Sequence, residues 1–529
     1  MKKNAFTIVF ILNLFHTTIA QVWQWSAPVE GIIHSETNAN PQAFLWIPEN
    51  CKEVKGVVLG MHNMVEEGML ENTNFRKTLS NIGFAEIWVT PTLEFPFDFH
   101  GHAPKHFQSM MNTLAEISGY KELSTAPIVP IGHSAMATYP WNFAAWNPER
   151  TLAVISVHGD TPQTNLTGYG RANVDWENRN IEGVPSLFIM GEYEWWEKRL
   201  EPGFKHVAKF PKTPITFFAD AGHGHFDYND VMVDYVALFI EKAAKYRLPK
   251  GKNQPLHPVY PQNGWLIDRW RKDSLPTTQP QPYHLYQGNK YEASWCFDET
   301  HAKVTEVFYA KARRKKMQYL GFLQDGQILV PVNNHAVYQP IFKPLADGIS
   351  FQLEAFFTDS LRKHIVSKHS TTPLLIDRIC GPVKKLNDTT FQLSFYRMGF
   401  KNQKRSNSIW LLAHNDGDDT YKSAVQQLEI KFPLKNIQGT AQSIAFDVIP
   451  NQKKGIRSIN LNGLSSANLP VSYYVKEGPA YVENGRLIFT KIPPKTKFPI
   501  KVTVIAWQYG IAGKIQSAEP VEQRFEIYQ

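Results

Sequence analysis

Ile131-Gly132-His133-Ser134-Ala135-Met136-Ala137 is the stretch on which the fold reading turns. An apolar run over 126–131 precedes it, and sequence of helical character follows it. A serine between a strand and a helix stands on a tight turn that exposes its hydroxyl. The free N–H groups at the start of the new helix then point at the same spot. Gly132 lets the backbone approach closely there. A plain hydroxyl is a poor nucleophile near neutrality, so the turn is chemically useful only with a base and an orienting acid nearby.

Working outward, strand-like and helix-like runs alternate from about residue 30 to 247. Short apolar strands are predicted at 55–59, 85–90, 126–131, 152–158, 186–190 and 215–218. Helices are predicted over 66–82, 106–117 and 231–246, the last with Val233, Ala237 and Ile240 on one face. Strands separated by helices predict an α/β fold with a mainly parallel sheet covered on both sides.

With Gly132-His133-Ser134 on a strand-to-helix turn, residues 30–247 resemble the α/β-hydrolase superfamily. The usual second glycine of the motif is replaced by Met136. The resemblance implies a serine nucleophile, then an acid, then a histidine, in that chain order. The acid commonly stands three residues past the glycine ending the fifth strand, which is Glu194; Glu192 and Asp160 are the alternatives. The base belongs to Asp220-Ala221-Gly222-His223-Gly224-His225-Phe226-Asp227, ahead of the last helix. Two histidines two residues apart in an extended loop point opposite ways, so one of them meets Ser134. His225 is favoured and His223 is the runner-up. For the oxyanion, the resemblance implies the Ala135 N–H and one donor from the loop after the first strong strand, taken as the Met64 N–H with Asn63 beside it, while His62 holds the loop. His223, His225, Asp227 and Asp230 also have the chemistry of metal ligands, but no His-Glu-x-x-His signature accompanies them, and neither metal nor cofactor is expected.

Residues 248–285, rich in Pro, Gln, Asn and Lys, read as a linker or strap. A β-pattern takes over from 286 to 450, with strands predicted near 318–330, 350–357, 391–395 and 428–432 and a turn at Asp325-Gly326. Residues 451–529 read as a small sandwich, with a hairpin turn at Asn484-Gly485. Residues 1–20 have the pattern of a cleaved export signal: Lys2 and Lys3, an apolar run, then Thr18-Ile19-Ala20. The apolar run is too short to span a bilayer comfortably, so 21–247 is the expected start and extent of the mature catalytic domain, located in the periplasm or outside the cell.

The 529 residues predict two to four domains. The 3 cysteines, Cys51, Cys296 and Cys380, exclude a disulfide scaffold and a Cys-rich zinc module. The formal charge of +8 becomes +6 without Lys2 and Lys3, too mild to indicate a nucleic-acid partner. No long apolar lid of the lipase kind and no fourfold repeat of the propeller-bearing peptidases is present. The stretches Gly191-Glu192-Tyr193-Glu194-Trp195-Trp196-Glu197 and Gly224-His225-Phe226-Asp227 are similar to a pectin methylesterase family on this fold. The stretches at 463–466, 469–475 and 477–480 look like the Ig-like modules of secreted bacterial carbohydrate esterases. These resemblances imply removal of methyl or acetyl esters from plant polysaccharide fragments. Tyr193, Trp195 and Trp196 are the candidate sugar-stacking residues. Lys198, Arg199 and Arg171 could meet a uronic carboxylate. A catalytically silent carbohydrate-binding protein and a serine peptidase of the same fold are the competing readings.

Overall fold

The computed structural model describes residues 22–164, 172–194, 197–251 and 254–529. The signal-like segment, Arg171, Trp195 and Trp196 lie outside the described residues.

Eight strands form the main sheet: β1 Trp25–Pro28, β2 Gln42–Trp46, β3 Gly56–Met61, β4 Phe84–Thr90, β5 Ile128–His133, β6 Val154–Val157, β7 Ser186–Gly191 and β8 Ile215–Asp220. Their order is β1-β2-β4-β3-β5-β6-β7-β8. β2 runs antiparallel to both neighbours, and β4 through β8 are mutually parallel. This is the α/β-hydrolase sheet. The strands are apolar on both faces because both are covered. Val58, Trp88, Val129, Ile131 and Ile189 pack under the helices Thr73–Ile82 and Asp230–Arg247. Val57, Ile87, Ile128 and Phe188 pack under Ala103–Ser118, Tyr139–Trp146 and Glu197–Lys209. β3 pairs with β4 on one side and β5 on the other, so the chain reverses direction across the sheet there. A crevice opens at the carboxyl ends of β3 and β5, the place where such sheets bind ligands.

The helix expected over 66–82 is two helices, Glu66–Leu70 and Thr73–Ile82. Asn72 separates them because its side chain accepts the N–H groups of Asn74 and Phe75, which caps the second helix. Beyond β8, residues 265–267, 281–282 and 294–296 form a small antiparallel sheet. The helix Glu299–Ala310 follows, capped by Asp298. This segment packs on the sheet: Thr216 donates to the Trp295 carbonyl at 2.5 Å, the Phe217 N–H to Ser294 Oγ at 2.9 Å, and Tyr309 to the Phe217 carbonyl. The edge strand β8 is thereby protected.

The second half holds small, almost entirely antiparallel sheets of the β-sandwich type around two further cores, one centred on Phe322, Phe391 and Leu411, the other on Leu487, Val502 and Phe525. Asp325-Gly326 and Asn484-Gly485 are the hairpin turns, each with both residues at positive φ (52° and 73°; 48° and 72°). Cys51, Cys296 and Cys380 are free thiols.

The β-rich half is fastened to the α/β half by largely buried charge. Arg397 reaches Glu67 and Glu71, each at 2.6 Å. Lys422 reaches Glu192 at 2.6 Å and Asp273 at 2.5 Å. Arg405 reaches Glu36 at 2.9 Å and the Asn63 carbonyl at 2.6 Å. Removing one partner of a buried pair strands the other without compensation. Arg397→Met, of similar length but uncharged, is expected to lose about 3–5 kcal/mol. Loss of less than about 1 kcal/mol in a calorimetric or denaturant melt would contradict the fastening role.

Candidate active site

β5 delivers His133 into a 3-10 turn, Ser134–Met136, and Ser134 adopts φ +51°. That left-handed conformation is strained for a residue with a Cβ, and it aims the hydroxyl out of the sheet. A Cβ on Gly132 would fall 2.0 Å from the Met136 carbonyl oxygen, so only glycine fits before the turn. Met136, in place of the motif's second glycine, is buried under the helices that cover this face. The close pass of the turn over the neighbouring strand is made possible from the other side: a Cβ on Gly159, just past β6, would lie 1.9 Å from the Ala137 Cβ.

The structure brings Ser134, His225 and Glu194 together. His225 Nε2 lies 2.7 Å from Ser134 Oγ, and its Nδ1 hydrogen-bonds to Glu194 Oε2. Glu194 closes a short 3-10 turn after β7. Its other oxygen meets His158 Nδ1 at 2.7 Å and the Gly191 N–H at 3.3 Å, and Arg199 stands 3.4 Å from Oε2. Burial alone would raise the Glu194 carboxyl, but the two imidazoles outweigh it and hold the group well below the usual carboxylate range. Glu194 is therefore ionised and fixed by partners on both oxygens. His158 was not among the sequence candidates. It directly follows β6 as a buried histidine at φ +49°, and only its spatial position against Glu194 reveals it. Burial opposes its charging, yet the Glu194 carboxylate lifts its pKa.

His133 steadies His225 from behind. Burial drives its pKa well below the usual imidazole value, so the ring is neutral. Its Nε2 lies 2.8 Å from the His225 carbonyl and donates to it. Its Nδ1, 3.2 Å from the Asn63 side-chain nitrogen, accepts.

His223 and Glu192 are committed elsewhere. His223 pairs with Asp227 at 2.5 Å and lies against Asn229. Glu192 accepts from Lys422 and, at 2.8 Å, from the Gly222 N–H. Asp160 is buried, and its carbonyl accepts the Trp141 indole N–H at 2.7 Å. Among the described residues, the one group with metal-ligand geometry is His158, Glu194 and His225, whose donor atoms lie within 4.8 Å of one another. Each imidazole Nδ1 there faces a different carboxylate oxygen, so both rings share protons with Glu194. A metal would need those positions stripped of protons.

Among the described residues the Ala135 N–H has no acceptor, and it lies at the start of the 3-10 turn. The Met64 N–H does not stand free as expected: it donates to Glu66 Oε2 at 3.0 Å. Tyr193 is not on the wall of the Ser134 cavity, because its hydroxyl is taken by the Ser423 carbonyl. That cavity, about 520 Å³, is lined on one side by Met64, Ser134 and His225 and on the other by the β-rich half, through Tyr396, Lys404, Arg405, Trp410 and Lys431. No sequence pattern marked these residues as part of the site.

No family model matches the chain, and no curated protein matches it. Solved structures do overlay on part of it. The fluorophosphonate-binding serine hydrolase F of Staphylococcus aureus shares 11% identity over 42% of this chain and 96% of its own, with a TM-score of 0.27. A Bacillus cereus carboxylesterase shares 13% over 38% of this chain and 93% of its own, with a TM-score of 0.28. A ferulic acid esterase shares 10% over 42% of this chain and 99% of its own, with a TM-score of 0.30. The chemical reading of this chain rests on its own geometry.

Burial opposes charging of His223, but Asp220 and Asp227 raise its pKa from 6.5 to about 9. Its stabilising contribution is therefore complete below about pH 6.5 and is lost as pH rises through about 9, a change of up to roughly 3 kcal/mol. In thermal melts across that range, His223→Gln is expected to flatten the decline seen in the parent. An unchanged slope would contradict the assignment.

Proposed function

We propose that the protein is an exported serine esterase that removes methyl or acetyl groups from plant polysaccharide fragments of the pectin type. The observation that carries the hydrolase reading is the 2.7 Å contact of His225 Nε2 with Ser134 Oγ, backed by the ionised Glu194. In this reading Ser134 Oγ attacks the ester carbonyl and His225 takes its proton. The tetrahedral intermediate collapses, and His225 gives that proton to the departing alcohol. For a methyl ester the alcohol is methanol and the uronate acyl group stays on Ser134. For an acetyl ester the sugar hydroxyl leaves and acetyl stays. Water activated by His225 then attacks the acyl-serine, and the acid is released. Glu194 keeps Nδ1 protonated and balances the imidazolium, and His158 and Arg199 hold Glu194 in place.

The choice of a carbohydrate ester is supported by the cavity wall and by the resemblance at 191–197 and 224–227. Trp410 and Tyr396 offer aromatic faces of the kind that stack on sugar rings, and Phe226 lies 5.5 Å from Trp410. Lys404 and Lys431 hold their carboxylates loosely, Glu36 at 3.3 Å and Glu429 at 3.7 Å, and keep most of their side chains in solvent. They are available to a uronate. Ig-like modules after residue 450 would fit a surface-acting enzyme of this kind.

Acetate and methanol release from acetylated and methyl-esterified polysaccharides is the direct measurement. Ser134→Ala should lower kcat at least about 10⁴-fold and abolish fluorophosphonate labelling. Parent-like turnover by that variant would sink the reading. Replacing Lys404 and Lys431 together by alanine should raise KM for a partly de-esterified oligouronide roughly tenfold, more than for a neutral acetyl ester.

A further inference from the structure

We infer that the imidazole of His62 supplies the second oxyanion donor, opposite the Ala135 N–H. The inference rests on the serine esterase reading and deepens it.

The second donor in this fold should come from the loop after β3, which begins at His62. The donors of the three loop residues that line the cavity, His62, Asn63 and Met64, can be followed one by one. The His62 N–H donates to the Val89 carbonyl at 2.8 Å and continues the sheet. The Asn63 and Met64 N–H groups both donate to Glu66 Oε2, at 3.2 and 3.0 Å. The Asn63 side-chain amide donates to the His133 carbonyl at 2.9 Å. What remains is the His62 ring. Its Nδ1 lies 2.7 Å from Thr90 Oγ1. Among the described residues no other contact of the Thr90 hydroxyl competes for its proton, and the hydroxyl is assigned as the donor to Nδ1. That assignment puts the ring proton on Nε2. Among the described residues Nε2 has no protein partner, yet it is not sealed by its surroundings, and His62 lines the cavity together with Ser134. Burial holds the imidazole neutral, well below its usual pKa, so Nε2 keeps one proton and cannot act as an acid.

The ring is braced for this task. Trp88 lies behind it, with ring centroids 5.0 Å apart. Glu66 joins the loop to the nucleophile turn, since its Oε1 accepts the His133 N–H at 2.7 Å while Oε2 holds Asn63 and Met64. Arg405 of the β-rich half fixes the Asn63 carbonyl at 2.6 Å. A donor that must meet charge developing in the transition state gains from such rigidity, because it need not reorganise as the charge forms.

The test uses the full chain and a chromogenic acetyl ester. His62→Ala is expected to lower kcat about 10²–10³-fold with KM within about threefold, the signature of an interaction made in the transition state. His62→Gln, which keeps a side-chain N–H, should recover part of the loss, and added imidazole should partly rescue His62→Ala. Should His62→Ala fail to fold, the parent answers directly: forming a boronate adduct on Ser134 should shift the His62 Nε2–H proton resonance. A folded His62→Ala with kcat within threefold of the parent, or an unmoved resonance in the adduct, would overturn the inference. Either result would instead favour the Met64 N–H leaving Glu66. A parent without ester turnover or fluorophosphonate labelling would overturn the esterase reading and this inference together, whereas a labelled, active parent with an indifferent His62 overturns this inference alone.

Discussion

Ser134 sits at φ +51° between a strand and a helix, and this strained turn constrains everything packed around it. A left-handed residue with a side chain persists only where its neighbours leave it no alternative. Here two glycines make the close approach possible, Gly132 near the end of β5 and Gly159 just past β6. The buried side chain of Met136 and the covering helices close the turn from the other face. The motif's second glycine is thus replaceable, because its spatial work is shared with Gly159, which is distant in sequence and adjacent in space.

The hydroxyl so presented is useful only with a base held still, and the molecule holds its base by its backbone as well as its ring. His133, next to the nucleophile, donates to the His225 carbonyl, while Glu194 fixes the ring through Nδ1. Glu194 is in turn held on both oxygens. Each group is oriented by a partner from a different strand end, so the set exists only when β5, β6, β7 and the loop after β8 are assembled.

Buried ion pairs perform the same office between the two halves of the chain. Their net contribution to stability is small once desolvation is counted, but a mispaired arrangement would leave carboxylates buried and uncompensated. Glu67, Glu71, Glu192 and Glu36 on the α/β side therefore accept one placement of Arg397, Lys422 and Arg405. That placement sets Trp410, Lys404 and Lys431 across the cavity from Ser134. The β-rich half is a wall of the site rather than an appendage.

The sequence by itself carried the sheet and pointed to three side chains that meet in space, Ser134, Glu194 and His225. Both faces of the parallel strands are buried, so each reads as an apolar run, and the Gly132-His133-Ser134 turn is local in sequence. Ser134, Glu194 and His225 each follow a strand end, so their order along the chain pointed to them. The break at Asn72 went unread because a cap inside an apolar-periodic stretch does not interrupt the period. His158, the commitment of the Met64 N–H to Glu66, the loss of Tyr193 to Ser423 and the far wall of the cavity were decided only by tertiary structure. For three of them the physical reason is the same: each depends on a hydrogen bond or a packed face between residues far apart in the chain. The Met64 N–H is taken by a carboxylate only two residues on, whose other oxygen is held by the distant His133 N–H. Periodicity and motif spacing record local constraints, whereas desolvated partners across the fold decide which donor is free and which is already taken.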